Sequence, residues 1–180
     1  WQHPAVLPVI EREAQKLHAP LIVGGQDFNC YEQNGRFVFE DERGLLDLPM
    51  PKLPGHHQLE NASTAIAALR CVAPDLPTAA FEAGITNVDW PARLQRLNRG
   101  HLTALIPDGA ELWLDGGHNE AGGKVLAEAV ADLEDRAPRP LVLVCGTLTT
   151  KDTGGFLAHF REIVQEVAAI TVPGEHAARS

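Results

Sequence analysis

Positive charge is scarce in this chain of 180 residues, where 15 Lys and Arg stand against 24 Asp and Glu for a formal charge of −9 and a pI near 5.3. That balance works against a nucleic-acid partner or an anionic membrane surface, both of which call for a cationic footprint. Long apolar runs are missing as well. Stretches such as Leu141 to Cys145 fall far short of the ~20 residues that cross a bilayer, and the opening WQHPAV has neither a charged n-region nor an apolar h-region. No membrane segment is expected. The three cysteines, Cys30, Cys71 and Cys145, are scattered, odd in number and without CxxC spacing. They suggest neither a disulfide framework nor a zinc site, and the expectation is a reduced, cytoplasmic protein. No serine sits in a GxSxG elbow and no cysteine has a catalytic flank, so covalent hydrolysis is unsupported. A GxxxxGK[ST] loop and a GxGxxG turn are also lacking, so a nucleotide could not find its whole site here. Because the text opens with Trp1 and runs directly into a helical pattern, a piece of a longer protein is expected.

What is present is ordinary globular material, 44% hydrophobic and 22% charged. Val9, Ile10, Ala14 and Leu17 recur at helical spacing, and the apolar run Leu21 to Val23 reads as a strand after Pro20. RFVFED, Arg36 to Asp41, alternates like a β-strand, and GLLDLPMPKLPG supplies a second extended piece and a Pro-rich loop, together hairpin-like. Leu59, Ala62, Ile66 and Leu69 stripe a helix, and a shorter one is expected over Thr78 to Ile85. At VDWPARLQRL the texture changes, which places a domain boundary there, residues 1–91 before it and 92–180 after it.

Beyond the boundary, strands and helices alternate. ELWLD, Glu111 to Asp115, reads as a strand, and Val125, Leu126, Ala129, Val130 and Leu133 stripe a helix. PLVLVCG is a second strand, Phe156 through Val167 a second helical stripe, and AAITV, Ala168 to Val172, begins a third strand. This β-α-β-α order predicts an α/β fold with a parallel, Rossmann-like sheet whose ligands gather at the carboxyl ends of the strands.

Four stretches carry candidate chemistry. DGGHN, Asp115 to Asn119, lies where a strand ends and a helix begins. Its glycines allow a tight turn, Asn119 can cap the helix, Asp115 can accept from a ribose diol, and His118 can touch a carboxylate or phosphate. The same residues serve equally as a plain turn and cap. In GHHQLENA, Gln58 and Asn61 share one helix face, and their amides suit the edge of a base or a buried structural bond. The adjacent His56 and His57 do not make a metal site, since adjacent histidines rarely reach one ion and no third ligand is near. Arg93 in DWPARLQRL follows a Pro-fixed turn at the boundary and suits either a phosphate clamp or a salt bridge between domains. Lys151 in GTLTTKD could meet an acidic substrate, though loop lysines are commonly just solvated.

In order and spacing, PAV, PLIVGGQDF, LPGHHQLENASTAIAAL, VDWPARLQRL, LDGGHNEAGG and GTLTTKD resemble the later half of folylpolyglutamate synthase/dihydrofolate synthase, a member of the Mur ligase superfamily. The resemblance implies that residues 1–91 are the end of a central ATPase domain, its P-loop lying upstream. Residues 92–180 would be most of a Rossmann-like C-terminal domain with a mostly parallel sheet. It implies ATP and Mg2+ as cofactors, with metal ligands upstream, and a monomer acting on L-glutamate and dihydropteroate or folate. The implied reaction is ATP-dependent amide formation through an acyl phosphate, and the fragment alone is expected to be inactive. By the same resemblance Asn61 contacts adenine, Arg93 reaches the nucleotide phosphates, Asp115 holds the ribose region, and His118, assigned as catalytic, positions glutamate or nucleotide. The usual DGAHNP and WPGR are replaced here by Gly117 and Glu120 in the first motif and Ala92 in the second. Ala92 is accommodated on the expectation of a negative φ. Two rivals are a non-catalytic Rossmann-like module for a small anion and another Mur-type amide ligase.

Overall fold

The computed structural model describes residues 4–174, and the chain separates into two compact units that divide between Asp89 and Trp90. The first opens with helix α1 (Leu7–Lys16). Strands β1 (Phe28–Gln33), β2 (Arg36–Asp41) and β3 (Gly44–Leu48) then form an antiparallel meander in chain order. Asn34 and Gly35, both at positive φ, close the β1–β2 turn in two residues, the sequence pair that a twisted hairpin prefers. Register sets Phe39 between Cys30 and Leu46, on the face toward helix α2 (His57–Val72). Leu59, Ile66 and Ala67 of α2 bury against Phe28, Phe37, Phe39, Leu46 and Leu48, and Phe81 of helix α3 (Thr78–Asn87) completes that core. Arg70, on the last turn of α2, lies 5.3 Å over the Phe39 ring and pairs with Asp41 of β2.

The expected strand at Leu21 to Val23 does not form. Asp27 turns the chain back instead, its Oδ2 accepting from Val23 N–H at 2.7 Å while the Val23 carbonyl accepts from the Gln26 and Asp27 amides. A short polar side chain thus satisfies the backbone groups that a neighbouring strand would have used. The extended region beyond it is a three-stranded meander, larger than the expected hairpin, because β1 was not recognisable from its mixed sequence FNCYEQ.

The second unit holds β4 (Gln95–Leu97) antiparallel to β5 (Leu112–Leu114), with a 3-10 turn at His101–Ala104 between them. Helix α4 (Glu120–Arg136) follows, then β6 (Leu141–Cys145), helix α5 (Thr153–Ala158) and β7 (Val164–Ala169), which runs parallel to β6. The parallel βαβ expectation therefore holds for β6 and β7, whereas β5 finds its partner in β4. Ala127, Phe156 and Phe160 form the buried core, joined by Leu141, Leu143 and Cys145 from one face of β6.

The helical stripe expected from Phe156 to Val167 stops at Ala158. The Phe160 carbonyl accepts from the amides of both Ile163 and Val164, closing a turn, and β7 begins four residues before the strand expected at Ala168. β-Branched Val164 and Val167 fit a pleated ladder better than a crowded helix, and pairing with β6 decides the outcome.

Candidate functional site

The stretch after β5 turns sharply into α4. Asn119 has extended backbone and caps the helix, its Oδ1 accepting from the Gly122 amide at 2.8 Å. Gly117 sits in a tight place, since a Cβ there would lie 3.0 Å from Asp115 Oδ1 and 3.2 Å from the Phe156 ring, so those side chains would have to give by a few tenths of an ångström. Alanine in its place would press on the core rather than merely stiffen the turn. Gly123, one turn further on, admits the backbone of Phe156, whose carbonyl would be 2.5 Å from an added Cβ.

Asp115, half-buried at the mouth of β5, uses both carboxylate oxygens. Oδ1 accepts from its own Gly117 amide at 2.7 Å, and Oδ2 accepts from the Leu94 amide at 2.7 Å, across 21 residues of chain. The Gly116 amide donates to the Ala92 carbonyl at 2.9 Å. These two long-range bonds fasten the WPARL loop beside the DGGHN turn, so Arg93 and Asp115 lie in one neighbourhood. Arg93 itself is exposed and pairs with no described residue. His118 is exposed as well, with Nδ1 2.9 Å from the Gly116 carbonyl, to which it donates in the tautomer protonated there.

The expected negative φ at Ala92 is not what the loop adopts. Ala92 sits at φ 56° and Leu94 at φ 43°, both in the left-handed region, at a cost of about 1 kcal/mol for each Cβ. The three bonds made by Ala92 and Leu94, one of them donated by the Ala92 amide to Gln95 Oε1 at 3.0 Å, hold that geometry. Gln95 had no place among the residues singled out in the sequence. Its one legible signal was the spacing, three residues after Ala92 in the run ARLQ.

Asn61 belongs to the first unit. It is exposed, and its Nδ2 donates to Gln58 Oε1 at 3.1 Å, while Gln58 Nε2 donates to His57 Nε2 at 2.9 Å. The buried member of this chain is Gln58, at 5% exposure, so the amide cluster is anchored structurally and leaves the Asn61 oxygen for a ligand donor. Lys151 is half-buried in the loop from β6 to α5, where Asp152 caps α5 through the Gly155 amide. Thr147 and Thr153 hydroxyls, 2.8 Å apart, close that loop.

A cavity of about 690 Å³ in the first unit, walled by Asp27, Asp41, Arg43, Arg70 and Cys71 among others, contains none of these residues. Its cations already serve the fold: Arg70 pairs with Asp41, and Arg43 donates to the Arg70 carbonyl at the end of α2. Burial pushes the Cys30 and Cys145 thiols above their ordinary value, opposite to the activation that a nucleophile needs. Among the described residues no group of three or more His, Cys, Asp or Glu could hold a metal ion, and no helix is long and apolar enough to cross a membrane.

No family model matches the chain. A curated dihydrofolate synthase/folylpolyglutamate synthase of Haemophilus influenzae is 25% identical over 180 residues, covering 95% of this chain and 40% of that protein. The solved folylpolyglutamate synthase of Mycobacterium tuberculosis complexed with ADP and AMPPCP superposes with a TM-score of 0.78 at 26% identity, over 100% of this chain and 39% of that one. The chain is a relative of the folylpolyglutamate and dihydrofolate synthases. A further solved synthase of this bifunctional kind, with Mn, AMPPNP and L-glutamate bound, has a TM-score of 0.76 at 26% identity and covers 95% of this chain and 38% of its own. This synthase relative thus spans about two fifths of the length of the proteins it matches. Its α/β fold, with parallel β6 and β7 backed by α4 and α5, is the fold of the corresponding part of those synthases.

Proposed function

We propose that this chain forms part of an ATP-dependent ligase that adds L-glutamate to dihydropteroate, to the glutamyl tail of a folate, or to both, through an acyl phosphate. Residues 1–91 are the closing part of the central ATPase domain and 92–180 belong to the Rossmann-like C-terminal domain. The observation that carries the reading is the fastening of WPAR to DGGHN through Ala92–Gly116 and Leu94–Asp115. It brings the backbone on either side of Arg93, whose exposed guanidinium makes no ion pair with a described residue, to the turn that carries the Asp115 carboxylate, and a phosphate and its sugar call for a cation and an acceptor of this kind. Relatives with ADP, AMPPCP or AMPPNP and L-glutamate bound give the nucleotide and amino acid their chemical class.

Within that reading each residue has a limited task. Arg93 offers planar paired donors to phosphate oxygens. Asp115, whose oxygens each take one backbone N–H, keeps lone pairs that can accept from ribose hydroxyls while it holds the loop. Asn61 presents an amide oxygen to the exocyclic amine of adenine, steadied by Gln58. His118 positions glutamate or the nucleotide from its place on the Gly116 carbonyl. Mg2+ travels with ATP and supplies charge neutralisation at the transferring phosphoryl group, its protein ligands lying outside this chain. The acyl phosphate requires a water-poor cleft, since water competes with the amine of glutamate. The chain by itself therefore releases no ADP in a glutamate- and folate-dependent manner.

Titration of the purified chain with ADP, followed by amide and arginine Nε–Hε NMR signals, tests this. The expected result is weak binding with shifts at Arg93, Asp115 and Asn61, weakened about tenfold by Arg93→Ala, the order of one charge-assisted bond. Binding of inorganic phosphate alone, with no preference for ADP, would replace the ligase reading with that of an anion-binding module.

A further inference from the structure

Arg93 is flanked on both sides by non-glycine residues in the left-handed region, Ala92 and Leu94. Such a conformation persists for an L side chain only where its surroundings over-determine it. Two of the restraints, to Gly116 and Asp115, arrive from the DGGHN turn. The third arrives from Gln95, whose backbone is held in β4 opposite Leu114 and whose side chain reaches back to the Ala92 amide. Leu94, at 5% exposure, is anchored by burial as well as by its bond. The Cα of Arg93 is thereby fixed from both sides, while its side chain stands in solvent. For a long, rotamer-rich side chain, fixing the root reduces the ordering that binding must impose, and a planar two-pronged contact depends on that aim.

We infer that Gln95 is a positioning residue for Arg93. Its amide oxygen holds the Ala92 backbone left-handed and so sets the direction in which the guanidinium meets a phosphate-bearing ligand. This rests on the reading above that Arg93 meets phosphate. Gln95 itself touches no ligand. Glutamate at this position retains an acceptor for the Ala92 amide, whereas leucine, of similar size, does not.

The test uses the whole chain, with ADP and adenosine as probes and with Gln95→Leu, Gln95→Glu and Arg93→Ala beside the parent. Amide hydrogen exchange reports the latch, and NMR titration reports binding. Gln95→Leu is expected to deprotect the Ala92 amide and to weaken ADP about fivefold, the loss of roughly one well-aimed hydrogen bond, with adenosine unchanged. Gln95→Glu is expected to keep that amide protected, which separates the acceptor's role from a loss of folding. An unchanged Ala92 exchange rate in Gln95→Leu would overturn the latch. Loss of protection with ADP affinity intact would overturn the positioning role while leaving Arg93 as a ligand residue. If Arg93→Ala binds ADP as well as the parent does, the functional reading fails and this inference falls with it, whatever the latch shows.

Discussion

In the first unit three antiparallel strands turn one apolar face to α2, and their opposite face carries Asn29, Tyr31, Glu40 and Asp47 together with a buried Val38 and an exposed Leu45. In the second, β6 turns Leu141, Leu143 and Cys145 toward α5 and α4, but its opposite face presents Val142 and Val144, 52% and 60% exposed. The difference follows from sheet type. Antiparallel strands read as alternating apolar and polar positions and need one cover, while parallel strands are apolar on both faces and ordinarily take two. Among the described residues the first unit accordingly closes a core of nine buried residues, four of them phenylalanine, whereas the core cluster of the second has three and depends on the close approach of two helices through Gly123.

That contrast can be broken or sharpened by experiment. The largest effect is expected from Phe39→Ala, which removes a fully buried ring at the centre of the meander and should cost the first unit about 3–5 kcal/mol. Urea unfolding with amide exchange read separately in the two units checks it, and exchange in α4 and β6 rising in step would dissolve the distinction between the cores. A smaller effect is expected from Gly123→Ala. Its methyl must move the Phe156 backbone rather than a flexible side-chain tip, at a cost of about 1–3 kcal/mol. An alanine variant as stable as the parent would show that α4 and α5 are free to separate and that the second unit is not held by that contact.

The smallest effect is electrostatic and belongs to the second unit alone. Glu111 accepts from Arg139 at 2.8 Å and lies 2.8 Å from Arg96, with Trp113 Nε1 donating to its other oxygen at 3.2 Å. The hydrogen bond from Arg139 foremost, then that from Trp113 and the charge of Arg96, holds its carboxyl below the usual glutamate value. Because the folded value is the lower one, the stabilisation is complete above the unfolded-state value of about 4.3 and is lost as pH falls through the folded value. Urea midpoints for the second unit should therefore decline from about pH 5 downward, and Arg139→Gln should flatten that decline. A profile identical in the variant would assign the acid sensitivity to other carboxylates.

Much of the secondary structure was legible because it rests on local periodicity. β2 spans the six residues read as a strand, although Phe37, Val38 and Phe39 are all buried rather than alternating, and α2 and α4 cover the stripes read from Leu59 and Val125 onward. The failures share a cause. Leu21 to Val23 is apolar enough for a strand but is claimed by a side chain four residues on, and Ile163 to Val167 fits a helical stripe until β6 offers a ladder. Short apolar runs of either kind are decided by what lies beside them in space. The candidate site divides in the same way. Residue types and turn chemistry marked DGGHN and Arg93, and Asn119 caps α4 as its position suggests. Gln95 escaped notice because a lone glutamine carries no local signature.

By itself, then, the sequence determined the helices with long amphipathic stripes, strand β2, the cap of α4, and a set of motifs that resemble those of the folate ligases. Those features depend on interactions within a few residues or on residue identity alone. Only the tertiary structure decided that β5 pairs with β4, that Phe156 of α5 packs against Gly117 and Gly123, and that Ala92 and Leu94 stand left-handed around Arg93. Each of these depends on a hydrogen bond or contact from a distant part of the chain, such as that of Asp115 to the Leu94 amide 21 residues away. Such long-range restraints set backbone conformations that local propensity alone disfavours.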